Sequence, residues 1–563
     1  MPWIPQAILA ADVGEDCVPR IRHFIWPLLI ALVLGAVLVA TFRMTGLPPA
    51  NRPLAVPPGD QEIAWFHTAT STATWERFVA GAHYAAHLEP RLRVDDSRAF
   101  PETTTAVPEL VLSLTGSEQR LLFRWYKQSG GVQMADWVNS LAGRSSPPLA
   151  IIGAGSSDQA LELARIMAAP RDWGGPAPLL FFTTASACNF EAEDGGAQQL
   201  DLMRVYKDRS FRFCFNNRQM ARAVVDFVWS QTELRPQGSQ QATLGAATAA
   251  ASGDVWAAIS LLACQEDFLG GVYTLEWRDD PYSVDLANEF REVLFGTESG
   301  GDRPWRGRVQ PTRLVDIHSS VGTFIRPNAD EASAISQLIN GLPFEQETGD
   351  FSPVSRNPFP PISRNPFQRS LLILPTVAPP ARRILSGITG ATPVLRRHLV
   401  AVSGDSITFN DVCRDGALIW NARLVSVPLV FFAQQNPVAR DMVSSELQPS
   451  QIGQHAPNGT DDVLHNADVM HIIAEEAYHL GAASGPNELL ANPDELANRL
   501  RSRSPAFFDP DGNRRGGSGE YVVYFRPRYG EGTEVPSAVL ETWVYHEGRG
   551  WGRVGDPLEV RYH

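Results

Sequence analysis

The sequence predicts an α/β protein of two doubly wound lobes behind an N-terminal transmembrane helix. Three observations predict it. Short apolar runs rich in Val, Leu, Ile and Phe alternate with amphipathic helical stretches, the pattern of a parallel sheet covered on both faces. There are too many such runs for one sheet of ordinary width, so two sheets are expected. Near the start, residues 24–42 (FIWPLLIALVLGAVLVATF) run 19 positions without a charge.

That first segment follows a tail at 1–23 and is flanked by Arg20, Arg22 and Arg43. At about 1.5 Å per residue it just crosses a hydrocarbon core of about 30 Å. It is long and late for a signal peptide, and no small-x-small cleavage site follows it, so an uncleaved signal anchor is expected. Two arginines on the amino side against one on the carboxyl side favour a short inside tail and a large outside domain. Residues 43–60 (RMTGLPPANRPLAVPPGD) form a proline-rich linker that excludes helix and sheet.

From there the elements are read in order. A strand at 63–67 precedes a helix ending in WERFVAGAHYAAHL. A strand at 149–152 leads into a helix at 158–168, and LLFF at 179–182 is a strand. FRFCF at 211–215 leads into RQMARAVVDFVW, and VYTLEW at 272–277 into VDLANEFREVLF. RLVDI at 313–317 precedes a helix from about Asp330, and LLIL at 371–374 precedes ARRILSGI. Strands follow at 399–402 and 427–432, and a helical run at 461–480. YVVYF at 521–525, the run at 539–546 and the run at 558–563 alternate as antiparallel β structure. Residues 234–253 read as a low-complexity insertion, and the repeated SRNPF at 355–359 and 363–367 as a surface loop, since its prolines bar it from a sheet interior.

Composition excludes some functions. The chain carries 48 Lys+Arg against 62 Asp+Glu, a net charge of -14, without the clustered positive charge that nucleic acid demands. Its five cysteines, Cys17, Cys188, Cys214, Cys264 and Cys413, show no CxxC, so a structural zinc is not expected. They read as buried thiols, with a Cys188–Cys214 pair as the alternative.

The stretch PPLAIIGAGSSDQALELARIMA at 147–168 presents a small-residue turn at the end of a buried strand. A dinucleotide fingerprint needs a third glycine where Asp158 stands, and that charge would repel a pyrophosphate. No nucleotide cofactor is expected. LVAVSGDSITFND at 399–411 resembles the first block of the GDSL hydrolases, with Ser406 at the nucleophile position and Asp468 and His471 as an Asp-x-x-His. Only 65 positions separate Ser406 from His471, and His471 sits in a helical run, which counts against that reading. His471, Glu475 and His479 at i, i+4 and i+8, with Asp468 a turn earlier, could hold a metal but read as a solvated or satisfied helix face. No metal is expected.

The order of turns resembles that of the type I periplasmic binding proteins, in particular the leucine/isoleucine/valine-binding group, whose two lobes are Rossmann-like. The resemblance covers residues 61–563, through turn chemistry rather than one sharp motif. Ser156 and Ser157 match the family's serine-bearing turn, at a helix start that suits an anion. Thr184, Ala185 and Ser186 match its second loop. The crossover YKDRSFRFCFNNRQMARA and the Asp-x-x-Tyr turn ending at Tyr282 are similar to the family's entry into lobe two. Asp405, in Ser403-Gly404-Asp405, matches its ammonium-binding acid. Trp75 would wall the pocket. The resemblance implies lobe I at 61–217 with 431–500, and lobe II at 218–430 with 501–563.

It further implies a membrane-anchored, non-enzymatic solute-binding or receptor protein. Its ligand would be small and amino-acid-like, its large domain extracytoplasmic, and a transport or signalling partner would accompany it. The family's Tyr-Gly is Tyr282-Ser283 here, and the segments at 234–253 and 341–368 are extra. The alternatives are an envelope interaction scaffold working through the SRNPF loops, and after it the serine hydrolase.

Overall fold

A computed structural model describes residues 32–34 and those between 52 and 561. Within that span, 104, 130, 192–198, 232–233, 235, 237–271, 296–310, 318–326, 342–369, 391–398, 408–428, 434–459, 482–490, 504–518, 521–536 and 547–549 are excepted. The chain divides into two units, Met1–Leu54 and Ala55–His563. In the first, residues 32–34 are helical and exposed. The rest of the expected span at 24–42 lies outside the described residues, as do the SRNPF repeat, nearly all of the 234–253 insertion and the run at 521–525. No helix of the described residues is long and apolar enough to cross a membrane.

In the second unit the chain runs through β1 (Gln61–Thr68), α1 (Thr72–Leu88), β2 (Leu92–Arg98), β3 (Glu109–Leu114), β4 (Arg120–Gln128), α2 (Met134–Ala142), β5 (Ala150–Ile152), α3 (Ser157–Ala168) and β6 (Leu179–Phe182). A small hairpin, β7 (Asn189–Glu191) and β8 (Gln199–Asp201), leads through α4 (Leu202–Val205) to β9 (Ser210–Arg212) and α5 (Asn217–Ser230). Then come β10 (Val272–Trp277), α6 (Pro281–Phe295), β11 (Pro311–Ile317), α7 (Ala329–Gly341), β12 (Ser370–Leu374), α8 (Ala378–Gly390), β13 (Leu399–Ser403) and β14 (Leu429–Ala433). The last elements are α9 (Thr460–Gly481), α10 (Pro493–Arg503), β15 (Gly519–Glu520), β16 (Ser537–His546) and β17 (Gly550–Arg561).

The strands build two large sheets. The first has the order β15-β9-β6-β5-β1-β4-β3-β2, and the second β11-β10-β12-β13-β14-β16-β17. In the first sheet β15 through β4 are parallel, and in the second β11 through β14, with two antiparallel strands added at one edge of each. Counted along the chain, both parallel cores share one order, 2-1-3-4-5, which β15 extends in the first sheet. In each, the first strand lies between the second and the third, so the winding direction reverses beside it.

Side chains alternate across each sheet because successive residues of a strand point to opposite faces. Ile63, Trp65, Phe123, Trp125, Ile152 and Phe181 pack toward α1, α9 and α10, while Ala64, Phe66, Tyr126, Ile151 and Leu180 pack toward α2 and α3. In the second sheet, Val272, Ile373, Val400 and Val430 meet α5 and α6 on one face, and Tyr273, Leu275, Leu372 and Ala401 meet α7 and α8 on the other. Helices on both faces explain why these strands read as continuous apolar runs.

Two boundaries differ from the expected lobe partition. β14 pairs with β13 in the second sheet, so the chain returns to the first sheet after residue 433 rather than at 431. β15 pairs with β9 of the first sheet, although 501–563 was assigned wholly to lobe II. In both cases hydrogen-bond pairing between distant strands decides membership, and local pattern carries no trace of it.

Around Glu62, near the amino end of β1, sits a buried ionic cluster. The Glu62 carboxylate accepts from Arg124 at 2.7 Å, Arg144 at 2.8 Å and the Tyr126 hydroxyl at 2.8 Å. Arg124 also donates to Glu109 at 2.6 Å. It ties strands together at the end of the sheet away from the strand termini discussed next.

Candidate functional site

In doubly wound sheets, ligands bind outside the carboxyl ends of the strands where the winding reverses. Here those positions are the turns after β1 and β5 in one sheet, and after β10 and β12 in the other. Of the residues singled out above, Ser156, Ser157 and Tyr282 belong to them, while Thr184, Ala185 and Ser186 follow β6 and Asp405 follows β13.

On the first sheet, Ser156 is the N-cap of α3, with extended backbone and no capping bond from its side chain. Ser157 is buried, and its Oγ accepts the Ala187 N–H at 3.4 Å, tying the turn after β5 to the loop after β6. In that loop the Thr184 hydroxyl donates to the Ala154 carbonyl at 3.0 Å, and Ala185 is fully buried. Ser186 is 1% exposed and its Oγ has no hydrogen-bond partner. Bonds between the two loops thus bring Ser157, Thr184, Ala185 and Ser186 to one rim.

Trp75 lies elsewhere. Its indole is 1% exposed, packed on Trp65, Phe78 and Trp125 at centroid distances of 5.3, 5.4 and 5.8 Å, and it donates to the Ala99 carbonyl at 2.8 Å. A fully packed aromatic is a core element and offers almost no surface to a solute.

On the second sheet, the backbone N–H of Trp277 donates to Ser283 Oγ at 2.8 Å, closing the turn from β10 into α6. Asp280 accepts the N–H of Tyr282 at 3.0 Å, an Asx-type bond that starts the helix. The Tyr282 hydroxyl donates to Asp405 Oδ1 at 3.3 Å, so Tyr282 and Asp405 meet although 123 positions apart. Gly404 permits this approach, since a Cβ there would come within 2.5 Å of the Tyr282 hydroxyl. Burial, then the Asp405 charge, pushes the Tyr282 phenol well above its ordinary pKa, so it stays a neutral donor.

The two rims touch. Asp285 of α6 is 3% exposed, and its carboxylate accepts from the backbone N–H of Cys188 at 2.8 Å and of Asn189 at 3.0 Å. Asn217 Nδ2 donates to it at 2.8 Å. Asp280 is pushed up to about 6, by burial first, with the Asp158 carboxylate of the other rim adding to the effect. Negative charge therefore faces negative charge where the rims meet, which suits a ligand with a cationic group.

Several of these residues were not singled out in the sequence. Asp158 was considered only as an obstacle to phosphate, and Asp280, Asp285 and Asn217 carried no pattern of their own. His67, at the end of β1, stacks on Trp65 at 4.9 Å and is lowered to about 4 by burial and by Arg77. His465 of α9 sits 2.8 Å from the Thr183 carbonyl and is lowered to about 4 by burial. A carbonyl only accepts, so the ring nitrogen facing it carries the proton and the ring is neutral.

The rival readings meet different surroundings. Ser406 Oγ lies 3.5 Å from Asp405 Oδ1, and His471 pairs within α9 with Glu475 at 3.6 Å, so the pieces of a serine triad are not assembled among the described residues. His471, Glu475 and His479 line a pocket with Glu89, Arg91 and Tyr478. No group of three or more such side chains is placed to hold a metal among the described residues. Cys188 and Cys214 are not joined in a disulfide, and Cys188 Sγ accepts from Arg212 at 3.3 Å.

No family model matches the sequence, and no curated protein matches it. Among solved structures, the chain is similar to a leucine-binding protein, LivK, from Thermotoga maritima, with 13% identity over 88% of this chain and 98% of that one and a TM-score of 0.44. A solute-binding protein of an ABC transporter from R. palustris, in complex with benzoate, has 11% identity over 88% and 96% and a TM-score of 0.42. A fatty acid ABC transporter substrate-binding protein from Thermomonospora curvata has 9% identity over 90% and 95% and a TM-score of 0.43. Two of these three are solute- or substrate-binding proteins of ABC transporters and the third is a leucine-binding protein, and a likeness this distant carries over no ligand.

Proposed function

We propose that the protein is a membrane-anchored solute-binding or receptor protein of the type I periplasmic kind, which closes two lobes over a small, amino-acid-like ligand. The observation that carries this reading is the meeting of Tyr282 and Asp405 at the carboxyl edge of the second sheet, while hydroxyl-bearing turns occupy the matching edge of the first. Ser156, Ser157, Thr184, Ala185 and Ser186 offer hydroxyl and N–H donors to a carboxylate at the start of α3. Asp405, half-buried and steadied by the Tyr282 hydroxyl, takes the ammonium. Trp75 stands behind the first rim as packing. The role is binding, not catalysis. Residues 24–42 serve as the single-pass anchor, the two-lobed domain is extracytoplasmic, and a transport or signalling partner reads its bound state.

The test is calorimetric titration of the purified full chain with the L-amino acids, comparing wild type with Asp405→Ala. A charge-assisted hydrogen bond is worth about 1.5–3 kcal/mol, so losing Asp405 is expected to weaken binding about 10- to 150-fold. Silence from both proteins across the panel removes the ligand claim.

A further inference from the structure

Where the two rims meet, Asn217 and Ser186 each hold a polar atom that the protein leaves unused. Asn217 is fully buried at the start of α5, and its backbone N–H donates to the Ser186 carbonyl at 2.9 Å, so the two residues are immediate neighbours. Its side-chain nitrogen faces two acceptors, Asp285 Oδ2 at 2.8 Å and the Tyr282 carbonyl at 3.4 Å. Two acceptors on one side fix the orientation of an amide, because only the nitrogen can donate. The oxygen is therefore held on the opposite side, and that Oδ1 has no hydrogen-bond partner. Ser186 Oγ, on the residue whose carbonyl accepts the Asn217 N–H, has none either, at 1% exposure.

Buried polar atoms are nearly always paired, and two orphans on adjacent residues call for a shared explanation. Each lies on a different side of the junction between the sheets, Ser186 in the loop after β6 and Asn217 at the head of α5. We infer that Asn217 is a further ligand-contacting residue, its amide oxygen and the Ser186 hydroxyl forming a paired acceptor and donor for the head group of an α-amino acid. This rests on the solute-binding reading above and deepens it.

The chemistry follows from the pair. An amide oxygen accepts from an ammonium and a hydroxyl donates to a carboxylate, and an α-amino acid carries both groups on one carbon. The surroundings favour that zwitterion over a neutral amide. Asp158 and Asp280 put negative charge on the two facing rims, and the first turn of α3 offers N–H groups to the carboxylate. Asp285 acts on the ligand only through Asn217, as a positioning residue that holds the amide by its nitrogen.

The experiment titrates the full chain with the L-amino acids, and then with the N-acetyl derivative of whichever binds. In the wild type, N-acetylation is expected to weaken binding at least tenfold, and in Asn217→Leu by a clearly smaller factor, since only the pairing with Asp405 is then left to lose. Ser186→Ala, which removes an atom with no partner in the protein, is expected to weaken the free amino acid at least tenfold while thermal unfolding stays at or above the wild-type temperature. An N-acetylation penalty equal in wild type and Asn217→Leu, or Ser186→Ala binding within twofold of wild type, overturns the inference. If Asn217→Leu fails to fold, Ser186→Ala decides alone. Weakening by Asp405→Ala with indifference to Ser186→Ala leaves the solute-binding reading standing and removes only this one. Silence of the wild type removes both.

Discussion

Glu289 lies in α6, one turn beyond Asp285, and is 9% exposed. Burial, and then the neighbouring Asp285 carboxylate, push it up to about 7, while Arg218 and Arg222 pull against them. Its ordinary value is 4.5, so the folded state holds this proton more tightly than the unfolded chain does, by about two and a half pH units. At 1.36 kcal/mol per unit, that is about 3 kcal/mol. The sign follows from the raised value. The contribution is fully present below about pH 4.5 and is lost as pH rises through about 7. Glu289→Gln keeps the shape and removes the titration. The variant is therefore expected to match the wild type near pH 4.5 and to exceed it by up to about 3 kcal/mol above pH 8. Urea unfolding at half-unit steps from pH 4.5 to 9 measures this directly. A constant difference across that range, or a variant less stable at pH 8.5 than the wild type, would refute the assignment of the buried proton to Glu289.

Two further perturbations test the packing. Arg124→Met removes the cation shared by Glu62 and Glu109, which are 0% and 1% exposed at their side chains and keep only Arg144, Tyr126 and Arg98, and is expected to cost about 3–5 kcal/mol in urea unfolding. A loss below about 1 kcal/mol would mean that Arg144 and Tyr126 suffice for Glu62. Gly81 sits where α1 crosses α9, and a Cβ there would lie 2.8 Å from Asn466 Cβ and 2.9 Å from the Val463 carbonyl. Gly81→Ala should gain about 1 kcal/mol of helix propensity but lose about 1–3 kcal/mol to overpacking, lowering the melting temperature. A higher melting temperature would refute the close crossing.

Much of the fold was legible because its signals are local. LLFF at 179–182 coincides with β6 and VYTLEW at 272–277 with β10, both unbroken apolar runs. The helix expected from about Asp330 begins at Ala329. The segment from β2 to α2 was not legible, and β4 shows why. RLLFRWYKQ carries Arg124 in its middle, which interrupts the apolar pattern until Glu62 and Glu109 are known to neutralise it. Trp75 was read as a pocket wall from its type and place after a strand, but three neighbouring rings enclose it.

Of the candidate site, the turns were legible and their partners were not. Serines at a helix start, and an Asp-x-x-Tyr at the next, stand in consecutive residues. The Asp285 carboxylate and the Cys188 N–H it accepts are 97 positions apart, and neither residue type announces the other.

By itself the sequence determined the alternation of strand and helix, the strand ends that bear polar turns, and the absence of a phosphate-binding glycine pattern. These follow from hydrogen-bonding geometry and side-chain periodicity, which act over a few residues. Only the tertiary structure decided that β14 joins the second sheet and β15 the first, that Tyr282 faces Asp405, and that Asp285 holds the junction. Those outcomes depend on which distant surfaces come together. Burial then sets the charge state of Asp280 and Glu289, and no stretch of sequence encodes a desolvation that the far side of the molecule supplies.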